Sequence, residues 1–326
     1  MTRLVAPGSL GRFIVVRLAA TLLLLVALSF VVFGLLYLTP GDPARNLLGP
    51  RNPSPEALAA IREQYRLDEP FLSQYVLWLN DVLHGDFGTS IRSETAITTL
   101  LADRVLLTFQ LAALAFVVTA AVGIPLGIAA AWRAGSTFDR TVSATSIVGI
   151  GAPSYAVGLV LLYVFGVWLD IFPVYGSGDG GLDTWWHLVL PAITLAFGIG
   201  ALVYKLTRTA VLDELHHDYV AFARSRGLQP RQIRRLVLRN AFIPIATSLG
   251  LVFGFLFGGT ILVEVTFALP GIGGLLASSV TFKDIPVVQA ITLLTALVIA
   301  LSALAVDLLY WAIDPRVRAR GMRGAR

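Results

Sequence analysis

Six stretches of this chain are apolar enough, and long enough, to cross a lipid bilayer. They run roughly over 13–37, 105–132, 141–168, 187–205, 244–266 and 287–312. A spanning helix needs about 20 such residues. The runs are continuous rather than alternating, so they predict helices and exclude a barrel, whose strands alternate. The third and sixth runs are the cleanest by composition, and the fourth is the shortest. Charged residues are only 14% of the 326 positions, against about 25% in an ordinary soluble domain. The expected fold is therefore an all-α integral membrane protein with six transmembrane helices. The first run is longer than the apolar core of a signal peptide, and no small-residue cleavage site follows it, so it is read as an uncleaved span.

The placement of the charges gives orientation. Arg3, Arg12 and Arg17 precede the first span, and Arg133 and Arg140 follow the second. Lys205, Arg208, Arg224, Arg226, Arg231, Arg234, Arg235 and Arg239 follow the fourth, and Arg316, Arg318, Arg320, Arg323 and Arg326 end the chain. The loop after span three carries Asp170, Asp179 and Asp183 but no Lys or Arg. The positive-inside rule puts both termini in the cytoplasm. The net charge of +5 then reflects topology and anionic membrane lipid rather than nucleic acid, which would need basic residues interleaved with stacking aromatics. The domains expected are an amino-terminal span (1–37), an external helical cap (38–104), a five-helix core (105–312) containing a cytoplasmic loop (206–243), and a basic tail (313–326).

Several chemistries are excluded. The chain has no cysteine, which rules out disulfides and zinc–cysteine sites. His216 and His217 are adjacent, and neighbours on a helix do not converge on one point, which argues against a metal site. Asp86, Phe87 and Gly88 match a kinase tripeptide without any of its companions. Gly176 to Gly181 lacks the helix and Lys-Ser/Thr pair of a phosphate cradle. No ATP-binding motif occurs, so no cofactor and no catalytic residue is expected here; any ATP is bound by another chain.

In the external segment, Pro50, Pro53 and Pro55 punctuate the start. Ser54 is a candidate cap for a helix from Pro55 to Arg66, and a second helix is expected from Phe71 to Leu83. Leu72, Tyr75, Val76, Leu79, Val82 and Leu83 form its apolar stripe. The segment reads as a small cap on the outer mouth of the bundle, or as a docking surface for a solute-delivery protein.

The most informative segment lies between spans four and five. Leu212, Leu215, Tyr219, Phe222 and Arg226 recur at helical steps, predicting one helix with a face built around apolar groups. Gly227 suits the residue after a helix end, and Pro230 the first turn of the next helix. Ile233, Leu236, Val237 and Ala241 give that second helix its stripe. The result is a rigid corner, beside which Ala221 and Ala223 are small enough to admit another backbone. The plainer alternative is a helix lying in the lipid interface, which would need no corner.

The pattern Tyr219, Val220, Ala223, Arg224, Gly227, Leu228, Pro230, continued by Asn240 and Pro244, resembles the cytoplasmic "EAA" loop of binding-protein-dependent ABC importer permeases. The nearest subgroup is the dipeptide, oligopeptide and nickel permeases. Pro40 to Pro43, Gly85 to Gly88, Pro153 to Tyr155, Asp307 with Tyr310, and Asp314 to Arg316 match in the same order, as do Glu264, Phe267, Pro270, Gly271 and Gly273. The motif's acidic start is Ala221 here, its first alanine is Phe222, and its distal leucine–proline is displaced to Ile243 and Pro244. The resemblance implies a type I importer permease fold in the bacterial cytoplasmic membrane. It also implies a second homologous permease subunit, two cytoplasmic ABC ATPases coupled through the loop, and an external solute-binding protein.

Glu264, Phe267, Pro270 and Gly271 are candidates for the solute path or outer gate. Glu264 alternatively caps backbone groups of the turn that follows it. Asp307 is expected to pair with a basic residue at the membrane edge. Pro125, Pro153 and Pro191 are candidate kinks. The cargo expected is peptides, favoured by the slightly acidic external cap; nickel chelates, glutathione or another small solute would suit the same machinery. An ion-coupled secondary transporter would carry intramembrane acids and inverted repeats, which are not evident. An intramembrane protease would need a paired intramembrane histidine or two aspartates, and a passive scaffold would not need an arginine-rich corner.

Overall fold

The computed structural model describes residues 10–38, 41–48 and 54–313. Pro40, Pro50, Pro53 and the basic tail lie outside them. The described residues form twelve α-helices and no strand, only an isolated bridge between Thr89 and Ala96.

The first span is α1 (Leu10–Leu38), and three short helices follow: α2 (Pro43–Leu48), α3 (Pro55–Gln64) and α4 (Phe71–Leu83). The core is α5 (Ile97–Trp132), α6 (Thr137–Gly151), α7 (Ser154–Leu161), α8 (Leu182–Leu215), α9 (Asp218–Ser225), α10 (Pro230–Thr266), α11 (Ile272–Thr281) and α12 (Ile285–Ile313). A π-helical stretch, Leu162–Trp168, continues α7. Pro125, Pro191 and Pro244 sit inside unbroken helices.

The expected third span is the one the structure breaks. Composition made it one of the cleanest, yet α6 and α7 meet at 109°. The cause is local. Pro153 has no N–H to continue the helix and pushes Ala152 out of the helical region, and Ala152 lies at ψ 129°. The pair still makes one crossing. Asp139 meets Arg208, Ser143 meets Tyr204, Gly149 meets Ala201, Gly158 meets Thr194, and Phe172 stacks on Trp186. These contacts descend α8 over 22 positions, about 33 Å at 1.5 Å per residue, against a hydrocarbon core of about 30 Å. The bundle therefore has six crossings.

Helices α5 and α8 run parallel and very close. A Cβ on Gly127 would lie 2.7 Å from Cβ of Thr207 and 2.8 Å from the Tyr204 carbonyl, so only glycine permits this approach. Leu111, Leu195, Val252, Leu256, Val263 and Phe267 form the main core between α5, α8 and α10. Helices α1 and α12 run antiparallel along the flank. Arg17 bonds Asp307 at 2.9 Å near one end, as expected for Asp307, and Gln289 donates to the Val32 carbonyl at 3.1 Å near the other. The start of α1 and the end of α12 thus lie at the same end of the bundle.

In the segment between α1 and α5, Ser54 caps α3 by accepting from the Ala57 N–H at 3.2 Å, with Pro55 at the first position. Asp42 is bonded to Arg62 at 2.8 Å, and that guanidinium holds its carboxyl below the usual range. Helix α4 has the expected bounds but a different inner face. Phe71, Gln74, Tyr75 and Trp78 turn towards α1, where the aromatic rings pack on Phe30, Phe33 and Tyr37. Leu72, Val76 and Leu83 point outward, at 65%, 61% and 76% exposure. Apolar groups surround most of α4, so spacing alone could not choose the side; edge-to-face ring contacts and the Tyr75 bonds to Ser29 and the Val26 carbonyl do. Helix α4 therefore packs on the flank of α1.

The turn before α5 meets the turn between α11 and α12. Buried Asp284 accepts from the Ser90 hydroxyl at 2.5 Å and from the N–H groups of Ile91 and Arg92. Arg92 lies 3.5 Å over the Phe282 ring. Replacing Asp284 by alanine leaves these donors without their acceptor, at about 1–3 kcal/mol. Limited proteolysis of intact membranes should then cut within residues 88–96 while wild type resists; equal resistance would show that the turn is held by something else.

Candidate functional site

Two places concentrate the candidate residues, one at each end of α10. At the end carrying most of the arginines, α8 stops at Leu215, where the His216 N–H bonds the carbonyls of Leu212 and Asp213. His217 adopts extended backbone, and α9 begins. The expected continuous helix through Leu212 and Arg226 is therefore two helices broken at the histidine pair. The loop expected over 206–243 is mostly the ends of α8 and α10, with α9 between them.

Helix α9 ends in a full Schellman closure. The Leu228 N–H bonds the Ala223 carbonyl at 3.1 Å, and the Gly227 N–H bonds that of Arg224 at 3.0 Å. Gly227 sits at φ 74°, where other residues are strained. Gln229 and Gln232 then form a reciprocal capping box, with Pro230 in the first position of α10. Nothing lies within 4 Å of a Cβ placed on Gly227, so the requirement for glycine is conformational and not one of space.

The corner divides the candidate residues into two sets. Val220 and Ala223 are buried, packing with Ala131, Val211, Ile233, Val237, Ala241 and Ile245. Tyr219 is half-buried, donating to Glu214 at 2.5 Å and bonded to Asn240. Burial pushes its hydroxyl above the usual tyrosine range, and Glu214 pushes the same way. Arg224, Gly227, Leu228 and Pro230 are exposed, as is Phe222 at 59%, with the Arg226 guanidinium 4.8 Å above its ring. Two expectations are corrected here. Phe222 and Arg226 point outward, because the break at His216 rotates α9 relative to α8. Ala223 is covered by its own chain, so it admits no foreign backbone; Ala221 stays open. Pro244 lies four turns up α10 from Pro230, away from the corner.

Beside the corner, Asp139 of α6 takes two bonds from Arg208 of α8, at 2.6 and 2.8 Å, and accepts from the Gly135 N–H. Sequence reasoning missed this pair. Its trace was a capping pattern: Ser136 precedes Asp139 by three residues and accepts from its N–H at 3.2 Å.

At the other end, Glu264 is 1% exposed. One carboxyl oxygen accepts from the Thr108 hydroxyl at 2.6 Å; the other accepts from the N–H groups of Gly273 and Gly274 at 2.7 and 3.2 Å. Thr108 in turn accepts from the Ile272 N–H at 2.9 Å. Of the two readings of Glu264, the geometry has it capping the start of α11. Thr108, distant in sequence, left no signal. A Cβ on Gly271 would run into the Glu264 carboxyl, and one on Gly273 into the Ile261 Cα. Phe267 is buried and Pro270 exposed. Among the described residues no group of histidine, aspartate and glutamate could hold a metal ion.

Comparison with known proteins agrees with this architecture. Residues 123–319 match the family described as binding-protein-dependent transport system inner membrane component, and residues 10–112 match the N-terminal model of such membrane components. A probable peptide ABC transporter permease protein, y4tP, of Sinorhizobium fredii is 36% identical over 95% of this chain and all of its own length. The glutathione transport system permease protein GsiC of Salmonella typhimurium is 38% identical over 94% of this chain and 98% of its own. The inward-facing MetNI methionine ABC transporter shares the fold, with a TM-score of 0.56 and 18% identity over 66% of this chain and 96% of the solved one. The chain belongs to the binding-protein-dependent transport system inner membrane components, the permease subunits of ABC importers.

Proposed function

We propose that this chain is one permease subunit of an ATP-driven importer of di- or oligopeptides across the bacterial cytoplasmic membrane, with both termini in the cytoplasm. Cytoplasmic termini are supported by the arginine distribution and by the Arg17–Asp307 pair, which brings the two ends together. A second permease subunit, two cytoplasmic ATPases and an external binding protein complete the machine. The observation that carries the reading is the α9–Gly227–α10 corner. It is rigid, buried on one side and bare on the other, and it joins two long crossings. Closure of the ATPases on Phe222, Arg224, Leu228 and Pro230 would move α8 and α10 together. Val220, Ala223, Tyr219 and Asn240 transmit the force inward rather than touching the ATPase. Glu264, Phe267 and Gly271 form the outer hinge between α10 and α11. The identity to the y4tP permease favours peptides, and that to GsiC favours glutathione, a tripeptide, as the second reading.

The test is uptake of labelled tripeptide into vesicles containing the complete complex. Removing ATP should abolish uptake, and collapsing the proton gradient should leave it intact. Uptake that follows the gradient instead would assign the chain to ion-coupled transport.

A further inference from the structure

The break between α6 and α7 leaves backbone groups without partners in the middle of the membrane. The Ala152 N–H bonds the Val148 carbonyl, and the N–H groups of Ala156 and Val157 bond that of Pro153. Among the described residues, no hydrogen bond takes the carbonyls of Ile150, Gly151 or Ala152, or the N–H of Ser154 and Tyr155. Gly149 lies against Phe197 and Ala201, and Gly158 against Thr194. The break is thus about 15 Å along α8 from Arg208, near half the span. Ile150 and Tyr155 are each 49% exposed, and Gly151 and Pro153 are exposed.

Lipid cannot satisfy such groups. Irregular backbone at this depth is tolerated only against protein or a water-filled passage, since each unpaired group costs several kcal/mol in hydrocarbon. Open space lies beside the end of α6. A cavity of about 510 Å³ between α5, α6 and α8 reaches Gly149 and Ser146 in the last turns of α6. Thr119 lines it, fully buried, and its hydroxyl has no partner. A buried unpaired hydroxyl is rare, and this one lies on the cavity that Gly149 also lines.

We infer that residues 150–155 line the solute passage and that their free carbonyl and N–H groups bind the main chain of a peptide. This rests on the peptide-import reading. Backbone donors and acceptors recognise what all peptides share and ignore side chains, which suits a passage whose selectivity lies elsewhere.

The natural absence of cysteine makes the test clean. Ala152→Cys and Ser154→Cys, with Leu23→Cys on the exposed flank of α1 as the lipid-facing control, would be labelled on this chain with a membrane-impermeant maleimide in the assembled complex. We expect both break positions to react at least about tenfold faster than the control, because only a wet surface forms the reactive thiolate and admits the reagent. Tetra-alanine should slow them, and its N-methylated counterpart should not. Labelling no faster than at Leu23→Cys, or a cross-link from Ala152→Cys to the second permease in place of labelling, would overturn the passage assignment. Labelling untouched by tetra-alanine would overturn the peptide contact. Tripeptide uptake by the same variants separates these failures from failure of the function, since uptake that persists keeps peptide import standing.

Discussion

Gly227→Val should reduce uptake by up to about thirtyfold while leaving the chain inserted and at normal abundance. At φ 74° an L-residue costs roughly 1–2 kcal/mol, and a β-branched one sits at or above the top of that range. Strain of about 2 kcal/mol lowers the ratio of native to distorted corner by a factor of roughly thirty. The spans do not feel this, because the added atoms meet nothing within 4 Å. What changes is the direction of α9 relative to α10, and with it the fit of any partner on Phe222 and Leu228. A substitution series makes the cause visible. Asparagine tolerates left-handed backbone and should retain most uptake; alanine should fall between. If valine supports normal uptake at normal abundance, the corner is not the lever. If asparagine fails as badly as valine, bulk at the surface is the cause rather than backbone strain.

That corner was readable because its signals are local. Gly227 and Pro230 act through their own dihedral angles, and no distant residue can alter what they permit. The long apolar runs were readable for a similar reason, since bilayer thickness sets their length wherever they pack. Three features were not readable, and each depends on something remote. The inner face of α4 is chosen by rings on α1, some forty residues away. The outward turn of Phe222 follows from the break at His216 and His217, where no glycine or proline marks the stop. The break at Pro153 was visible as a proline, but Pro125, Pro191 and Pro244 look alike in sequence and leave their helices whole. At Pro153 the chain turns by 109° instead.

Glu264→Ala should cost assembly rather than selectivity. The carboxyl group is the shared acceptor for the Thr108 hydroxyl and the Gly273 and Gly274 N–H groups. Removing it strands three donors in a site that is 1% exposed, at roughly 3–5 kcal/mol in total. The start of α11 then loses its anchor to α5 and α10 together, and the yield of intact complex should fall sharply. Glu264→Gln is the discriminating partner. Its amide oxygen can still serve the two glycine N–H groups, and its nitrogen can donate to Thr108 if that hydroxyl reverses. It should therefore keep part of the assembly that alanine loses, and Thr108→Val should resemble it. A group lining the solute path behaves differently: Glu264→Gln would leave complex yield unchanged and shift the balance between acidic and basic tripeptides taken up. Normal assembly with altered charge preference would move Glu264 from hinge to passage, and would require its carboxyl to leave the glycine N–H groups during the transport cycle.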